Sequence, residues 1–477
     1  MKKQERTAAS RRFRTAEPID AAVFLAALGG FAWWGFTREK MTVQGALAAM
    51  FSIGMFALSA ALLIPAAIRF FKGEEVFTAP SLGSRSSVKG KAGSVARIIL
   101  FVLAARVFLI ALGYAFGYVF RDMHRSLLST LESIWLKQGT EAPKYFAIAE
   151  QGYSSDPSLI VFPPLYPFLL NVLDLLTRNS FASAMIIGAA CTVAAAPIIN
   201  ELALCDMGLR SARNAVVFTF VMPAAIFFIA PGSEALFLVL SAAALLSVRK
   251  GKFWLGAIFG ALASLTRNIG ILMIVPFAAE AIAYAARLKP VSEKKNRVKR
   301  AIKLVLAGAV LLLGSIGFLI MNRVIAGDWF AFIKRASAEY GVGFGPFFGT
   351  IASDTELLFG ALARSDRELL GSMVPNMLFI FGALSVWIFS ARSFRTSYSM
   401  YLAAFIAVVC GITGFFSVPR LMTVCLALPL ALSHLCESRD DGIALGRARI
   451  KAAIVMTLLV FGQVAYLLMF ILDYNIC

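Results

Sequence analysis

The sequence predicts an all-α polytopic membrane protein: a helical bundle of about 13 transmembrane helices with a surface helix in its first large external loop. Three observations predict it. Only 15% of the 477 residues are charged and 59% are hydrophobic, whereas soluble domains carry ~25% charge. The apolar residues fall in long runs, and a helix needs roughly 20 of them to cross hydrocarbon. The net charge of +19 sits in a few segments between those runs, which is the distribution that membrane orientation demands. That placement favours orientation over nucleic-acid binding as the reason for the basic balance.

The spans are read at 19–36, 43–71, 95–120, 181–204, 214–230, 233–248, 253–266, 268–286, 304–326, 373–391, 398–416, 421–437 and 451–472. The first follows a basic tail, lacks a small-residue cleavage site and ends in Trp33 and Trp34, so it reads as a retained span rather than a signal peptide. Lys and Arg set the orientation. The tail 1–14, the loop 72–97 and the loop 287–303 are rich in them, and all three should be cytoplasmic. The loop 327–372 has six acids against four bases, and the loop 121–158 is similarly mixed, so both should lie outside. This divides the chain into a tail, added hairpin and basic loop (1–94), a core (95–437, with external loops at 121–180 and 327–372) and a C-terminal loop and helix (438–477).

The apolar run 159–177 is not counted as a span. If it crossed, the basic loop 287–303 would fall outside, against the charge rule. Pro163, Pro164 and Pro167 also disfavour a continuous helix through its start. A helix lying along the outer surface after Pro167 fits both facts.

With this topology the polar residues collect on the outer side. The first loop holds Asp122, Glu132, Glu141, Lys144, Tyr145, Glu150 and Tyr153. Three turns add Ser233 with Glu234, Arg267 with Asn268, and Arg420. Singly, the two arginines could snorkel to headgroups and Glu234 could favour a helix start. Together, charges beside hydrocarbon on one face suit an anionic head group, and Arg suits phosphate in particular. The inventory fits transfer of a sugar from a lipid phosphate. A phosphate leaving group needs cations and no strong acid, and a hydroxyl acceptor needs one base. Glycosidases need a second carboxylate because they must protonate a leaving alkoxide.

The motifs resemble those of the PIG-V-like mannosyltransferases, relatives of GPI mannosyltransferase 2 in the GT-C superfamily of membrane glycosyltransferases. The matching stretches are "EAPKYFAIAEQGY" followed by "IVFPPLYPFLL", "PGSEALFLVLSAAALL", "LGAIFGALASLTRNIGILMIVPF", "AGDWFAFIKRASAEYG" and "SVPRLMTVCLALPL". They span about residues 95–437 in order. The resemblance implies a helical bundle with a catalytic carboxylate and surface helices in its first external loop. It also implies an extracytoplasmic site, a polyprenyl-phosphate sugar donor, typically of mannose, and inversion at the anomeric carbon. Glu141 stands where the family has Asp, with Asp122 as the alternate base. Lys144 replaces the usual ring, and Leu421 follows Arg420 where the family has Tyr. Lys144, Tyr145, Glu150, Tyr153, Ser233, Glu234, Arg267, Asn268 and Arg420 are the expected donor- or substrate-binding residues.

No CxxC pair occurs among the six cysteines, and His124 and His434 are too few and too far apart for a metal site. No metal or cofactor is expected. The expected partners are the polyprenyl-phosphate donor, a lipid, glycan or protein acceptor, and membrane lipids, without nucleic acid. The expected location is a plasma membrane, with the N-terminus cytoplasmic. Two other readings are a non-catalytic family member that binds lipid-linked sugar and a lipid or polysaccharide transporter. A transporter should show inverted repeats and mid-membrane polar residues, and the sequence has no convincing internal repeat.

Overall fold

The computed structural model describes residues 42–73, 88–121, 123, 126–137, 140–154, 156–287, 294–414, 417–437 and 443–472. The expected span 19–36 and the alternate base Asp122 lie outside the described residues. The described chain is an all-α bundle. Seven of its helices are long and apolar enough to cross a membrane: Val43–Phe71, Val95–Phe120, Ser180–Leu204, Asn268–Arg287, Val298–Ala326, Arg367–Ser390 and Leu445–Ile471.

In chain order the helices are α1 (Val43–Phe71), α2 (Val88–Phe120), α3 (Leu127–Trp135), α4 (Ala142–Gln151), α5 (Leu165–Thr177), α6 (Ser180–Leu204), α7 (Leu209–Val221), α8 (Glu234–Arg249) and α9 (Phe253–Thr266). They continue as α10 (Ile274–Arg287), α11 (Lys294–Ala326), α12 (Ala331–Tyr340), α13 (Phe347–Arg364), α14 (Arg367–Ser390), α15 (Thr396–Val409), α16 (Val418–Thr423), α17 (Ala427–Leu435) and α18 (Ile443–Ile471). Local sequence starts several of them. Thr42, Asn179 and Asp366 cap α1, α6 and α14, each side chain accepting from a backbone N–H three residues on, the usual way to satisfy the first donors of a helix.

The Pro-rich run forms α5, a helix of 13 residues. At 1.5 Å per residue it is ~20 Å long, too short for a ~30 Å hydrocarbon core. Tyr166 and Leu170 are buried, while Phe168, Val172, Leu175 and Leu176 are exposed on its other side.

Four expected spans depart from a continuous α-helix: 268–286 opens with a 3-10 segment, Asn268–Met273, 398–416 leaves its helix after Val409 for the strand Ile412–Thr413, and two are interrupted within their length. The run 214–230 is the end of α7 followed by a 3-10 segment, Pro223–Phe228. The run 421–437 is split between α16 and α17. Hydropathy reads both as continuous because the breaks are themselves apolar. Irregular backbone at membrane depth must find donors inside the protein, and two spans supply them. Arg106 of α2 donates to the carbonyls of Phe228 (3.0 Å) and Met185 (3.1 Å). Gln463 of α18 donates to those of Phe220 (3.0 Å) and Met222 (3.3 Å).

The second loop is not a simple cover. A two-residue antiparallel ladder pairs Gly343 with Thr413 and Phe344 with Ile412. From there α13 runs back along α1. Phe347 meets Phe56 at 4.8 Å between ring centroids, and Glu356 accepts from the Thr42 backbone N–H at 2.8 Å. Phe56 is ~20 Å along α1 from Thr42 by helical rise, so the start of α13 lies well down the side of the bundle.

Two buried ionic clusters sit at opposite ends of α8. One includes Glu234, at its first turn. The other includes Arg249, at its last. Arg249 donates to Asp206 (2.5 Å), and Arg395 donates to Glu280 through Nε (2.6 Å) and Nη2 (2.8 Å). Ser397 adds a third bond to Glu280. This cluster ties together the segment after α6 and the helices α8, α10 and α15. Arg395→Leu strands the buried Glu280 carboxylate and is expected to cost about 3–5 kcal/mol, whereas Glu280→Leu with Arg395→Leu recovers most of that loss. Denaturant unfolding of the detergent-solubilised protein checks the pair.

Candidate active site

Glu234 is the centre of the other cluster. It opens α8 and its side chain is 1% exposed. A carboxylate that deep needs compensating charge, and two arginines provide it. Arg267 Nη1 donates to Glu234 Oε1 at 2.7 Å. Arg420 donates to the same oxygen through Nε at 2.6 Å and Nη2 at 2.5 Å. The N-cap residue Ser233 makes no capping bond with its side chain. Its hydroxyl instead accepts from Arg267 Nη1 at 2.9 Å and meets the Tyr145 hydroxyl at 2.9 Å.

The backbone explains why Arg267 reaches inward. It leaves α9 in an extended conformation (φ −147°, ψ 137°), and the chain turns into a 3-10 segment, Asn268–Met273. Gly270 makes that turn possible. A Cβ there would lie 2.6 Å from the Ala263 carbonyl carbon and oxygen. Gly270→Ala is expected to push this turn off α9 and cost about 1–3 kcal/mol, the usual range for overpacking. Thermal unfolding and the reactivity of Arg267 toward a dicarbonyl reagent report the two consequences.

The first loop closes the cluster. Glu141 precedes α4, whose first turn carries Pro143. Arg420 Nη2 donates to Glu141 Oε2 at 2.6 Å, and the Tyr145 hydroxyl donates to the same oxygen at 3.4 Å. Tyr145 is held edge-on between Phe162 and Tyr166, at 5.0 and 4.9 Å between ring centroids. Burial, then the Glu141 carboxylate, push its hydroxyl well above the usual tyrosine range, so it remains a donor. Because Arg267 can only donate, the Ser233 hydroxyl hydrogen is available to Tyr145, and the Tyr145 hydrogen to Glu141. One donor chain therefore runs from Arg267 to Glu141. Of the two carboxylates Glu141 is the accessible one, with 29% of its side chain exposed.

Six expected residues thus meet: Glu141, Tyr145, Ser233, Glu234, Arg267 and Arg420. The others lie around them. Lys144 donates to the Tyr340 hydroxyl at the end of α12 and stands 4.2 Å from the centre of its ring. Asn268 donates to the Val161 carbonyl (3.3 Å), and Tyr153 to that of Phe162 (2.8 Å), so both brace the first loop. Glu150 is exposed and accepts from Ser180 at 3.4 Å. Among the described residues no group of three or more His, Cys, Asp or Glu side chains is arranged to hold a metal ion.

Two participants escaped sequence reasoning. Phe227 lies under the Arg420 guanidinium, 4.7 Å from it, and nothing in an apolar run distinguishes that ring from its neighbours. Ser417 caps α16, the short helix that carries Arg420. Its Ser-x-x-Arg spacing was visible, although its role as a cap was not.

Helix lengths differ across the bundle. α8 has 16 residues and α9 has 14, so they reach ~24 and ~21 Å. α1 and α18 have 29 each, or ~44 Å. The sequence reading put Glu234 and Arg267 at the outer surface. Glu234 opens α8 and Arg267 follows the end of α9, so both stand at the ends of these two short helices, away from the Arg249 cluster.

No family model matches the chain, and no curated protein does. Among solved structures the chain is similar to the crystal structure of ArnT from Cupriavidus metallidurans bound to undecaprenyl phosphate. The two are 13% identical, with a TM-score of 0.36, over 78% of this chain and 76% of that one. At that level the likeness carries no argument, and the functional reading rests on the residues of the site.

Proposed function

We propose that the protein is an integral-membrane GT-C glycosyltransferase. It moves a hexose, mannose by its motif resemblance, from a polyprenyl-phosphate donor to an acceptor hydroxyl, with inversion. The observation that carries this reading is the meeting of one accessible carboxylate, Glu141, with two arginines held on a buried one. The proposed setting is a plasma membrane, with the site on the extracytoplasmic side.

In this reading the donor phosphate takes donors of Arg420 and Arg267, while Glu234 keeps both guanidinium groups oriented. Phosphate competes with Glu141 for Arg420 Nη2, and its arrival frees the Glu141 carboxylate. Glu141 then accepts the acceptor's hydroxyl proton as the oxygen attacks the anomeric carbon from the face opposite the phosphate. The bond from that carbon to the phosphate oxygen breaks, and polyprenyl phosphate leaves with the electron pair. Fixed cations in a dry site stabilise the charge that develops on the leaving oxygen.

The test is transfer of labelled mannose from polyprenyl-phosphate mannose to a membrane extract by the purified full-length protein. Transfer above a protein-free control is the expected result. Binding of polyprenyl phosphate without transfer of any hexose tried would favour the non-catalytic, lipid-sugar-binding alternative. The absence of both binding and transfer would overturn the proposal.

A further inference from the structure

The C-terminal helix α18 lies beyond the stretch that carries the motifs, yet it touches the supports of the site at several points. The Tyr466 and Ser417 hydroxyls are 2.8 Å apart in a buried contact. Ser417 Oγ in turn accepts from the Arg420 backbone N–H at 3.4 Å. We infer that Tyr466 is a positioning residue for Arg420, acting through the Ser417 cap of α16.

The geometry favours this over a packing role alone. α16 has six residues, too few to be a stable helix without outside support. Its direction, and with it that of Arg420, depends on its cap and its neighbours. A second route leads from the same helix to the same guanidinium. Phe227, under Arg420, packs edge-on against Tyr466 (6.4 Å) and Phe470 (5.8 Å). Gln463 holds the Phe220 and Met222 carbonyls at the start of the 3-10 segment that carries Phe227. α18 also reaches the first loop, because Phe470 packs on Trp135 at 4.9 Å and its carbonyl accepts from Lys137. One span therefore braces the arginine, the ring beneath it and the loop that leads to Glu141.

The experiment uses the full-length protein in detergent or nanodiscs. Arginine side chains are modified with phenylglyoxal and read by peptide mass spectrometry. In Tyr466→Phe the rings stay and the hydroxyl is lost. Arg420 should then react about fivefold faster than in wild type, the size expected for one lost buried hydrogen bond. Arg395, in the opposite cluster, should not change. Ser417→Ala should act alike, and the double variant should be no faster than the faster single one. Ser417→Ala carries the same test if Tyr466→Phe does not fold. Unchanged Arg420 reactivity in the folded variants would overturn the inference.

A second readout rests on the proposed function. Tyr466→Phe should raise the donor KM more than it lowers kcat. An equal loss in active fraction, with KM unchanged, would indicate a purely structural role and overturn the inference. If wild type transfers nothing while Arg420 reactivity still rises in the variants, the positioning inference stands and the transferase reading falls.

Discussion

Glu141→Gln is expected to abolish sugar transfer while keeping, and even tightening, the binding of polyprenyl phosphate. The first effect follows from the loss of the accessible carboxylate among the described residues of the cluster. A positioned general base is worth ~10²–10⁴-fold in rate, so the loss should be at least about 100-fold. The second follows from competition. Arg420 Nη2 is bonded to Glu141 at 2.6 Å, and an amide is a weaker rival to phosphate for that donor than a carboxylate is. Labelled-mannose transfer and a polyprenyl-phosphate binding assay on the same preparation measure both. Retained transfer would move the base elsewhere, and weaker binding would show that Glu141 does not compete for the arginine. Asp122→Asn, run in parallel, tests the alternate base.

Glu234→Gln should have the largest effect on stability. Its carboxylate is shared by Arg267 and Arg420, and all three side chains are largely buried. Removing the charge leaves two largely buried guanidinium groups without the carboxylate they share. Breaking one buried pair typically costs about 3–5 kcal/mol, and here two are broken at once. Unfolding in detergent should show a loss of that order, accompanied by loss of polyprenyl-phosphate binding. Binding at wild-type affinity would mean that Glu234 does not orient the arginines. A stability unchanged to within 1 kcal/mol, the median range of exposed pairs, would mean that the pairs are not desolvated.

The two effects separate because the carboxylates have different surroundings. Glu141 sits at the start of a loop helix, is accessible, and can exchange its partner. Glu234 is fixed by helix geometry and burial and has no such freedom. In the proposed reaction Glu141 acts and Glu234 holds the arginines.

Much of this was legible in the sequence because it is local. Long apolar runs must become helices where backbone donors have no water. Pro163 and Pro164 break the apolar run, and α5 begins just after them at Leu165. Six of the polar residues singled out in the sequence do meet, and charges beside apolar runs are costly and therefore informative. The sequence also pointed correctly to the turn holding Arg267, where Gly270 has a steric reason to be glycine.

The rest depends on packing between distant segments. Glu141 and Arg420 are 279 positions apart, and no periodicity says that they share a hydrogen bond. As a sequence, Glu234 reads as an acid at a helix start, but only the fold makes it the counterion of two arginines. Continuous hydropathy concealed the breaks after Val221 and Thr423, because apolar residues fill the breaks as well as the helices. Nor does the sequence show that the last span reaches Ser417, the cap of the helix that carries Arg420. By itself the sequence determined that this is a helical membrane protein with charged residues gathered at certain helix ends. The tertiary structure decided which of those residues meet, because buried ion pairs form only where packing brings the helix ends together and excludes the water that would otherwise separate them.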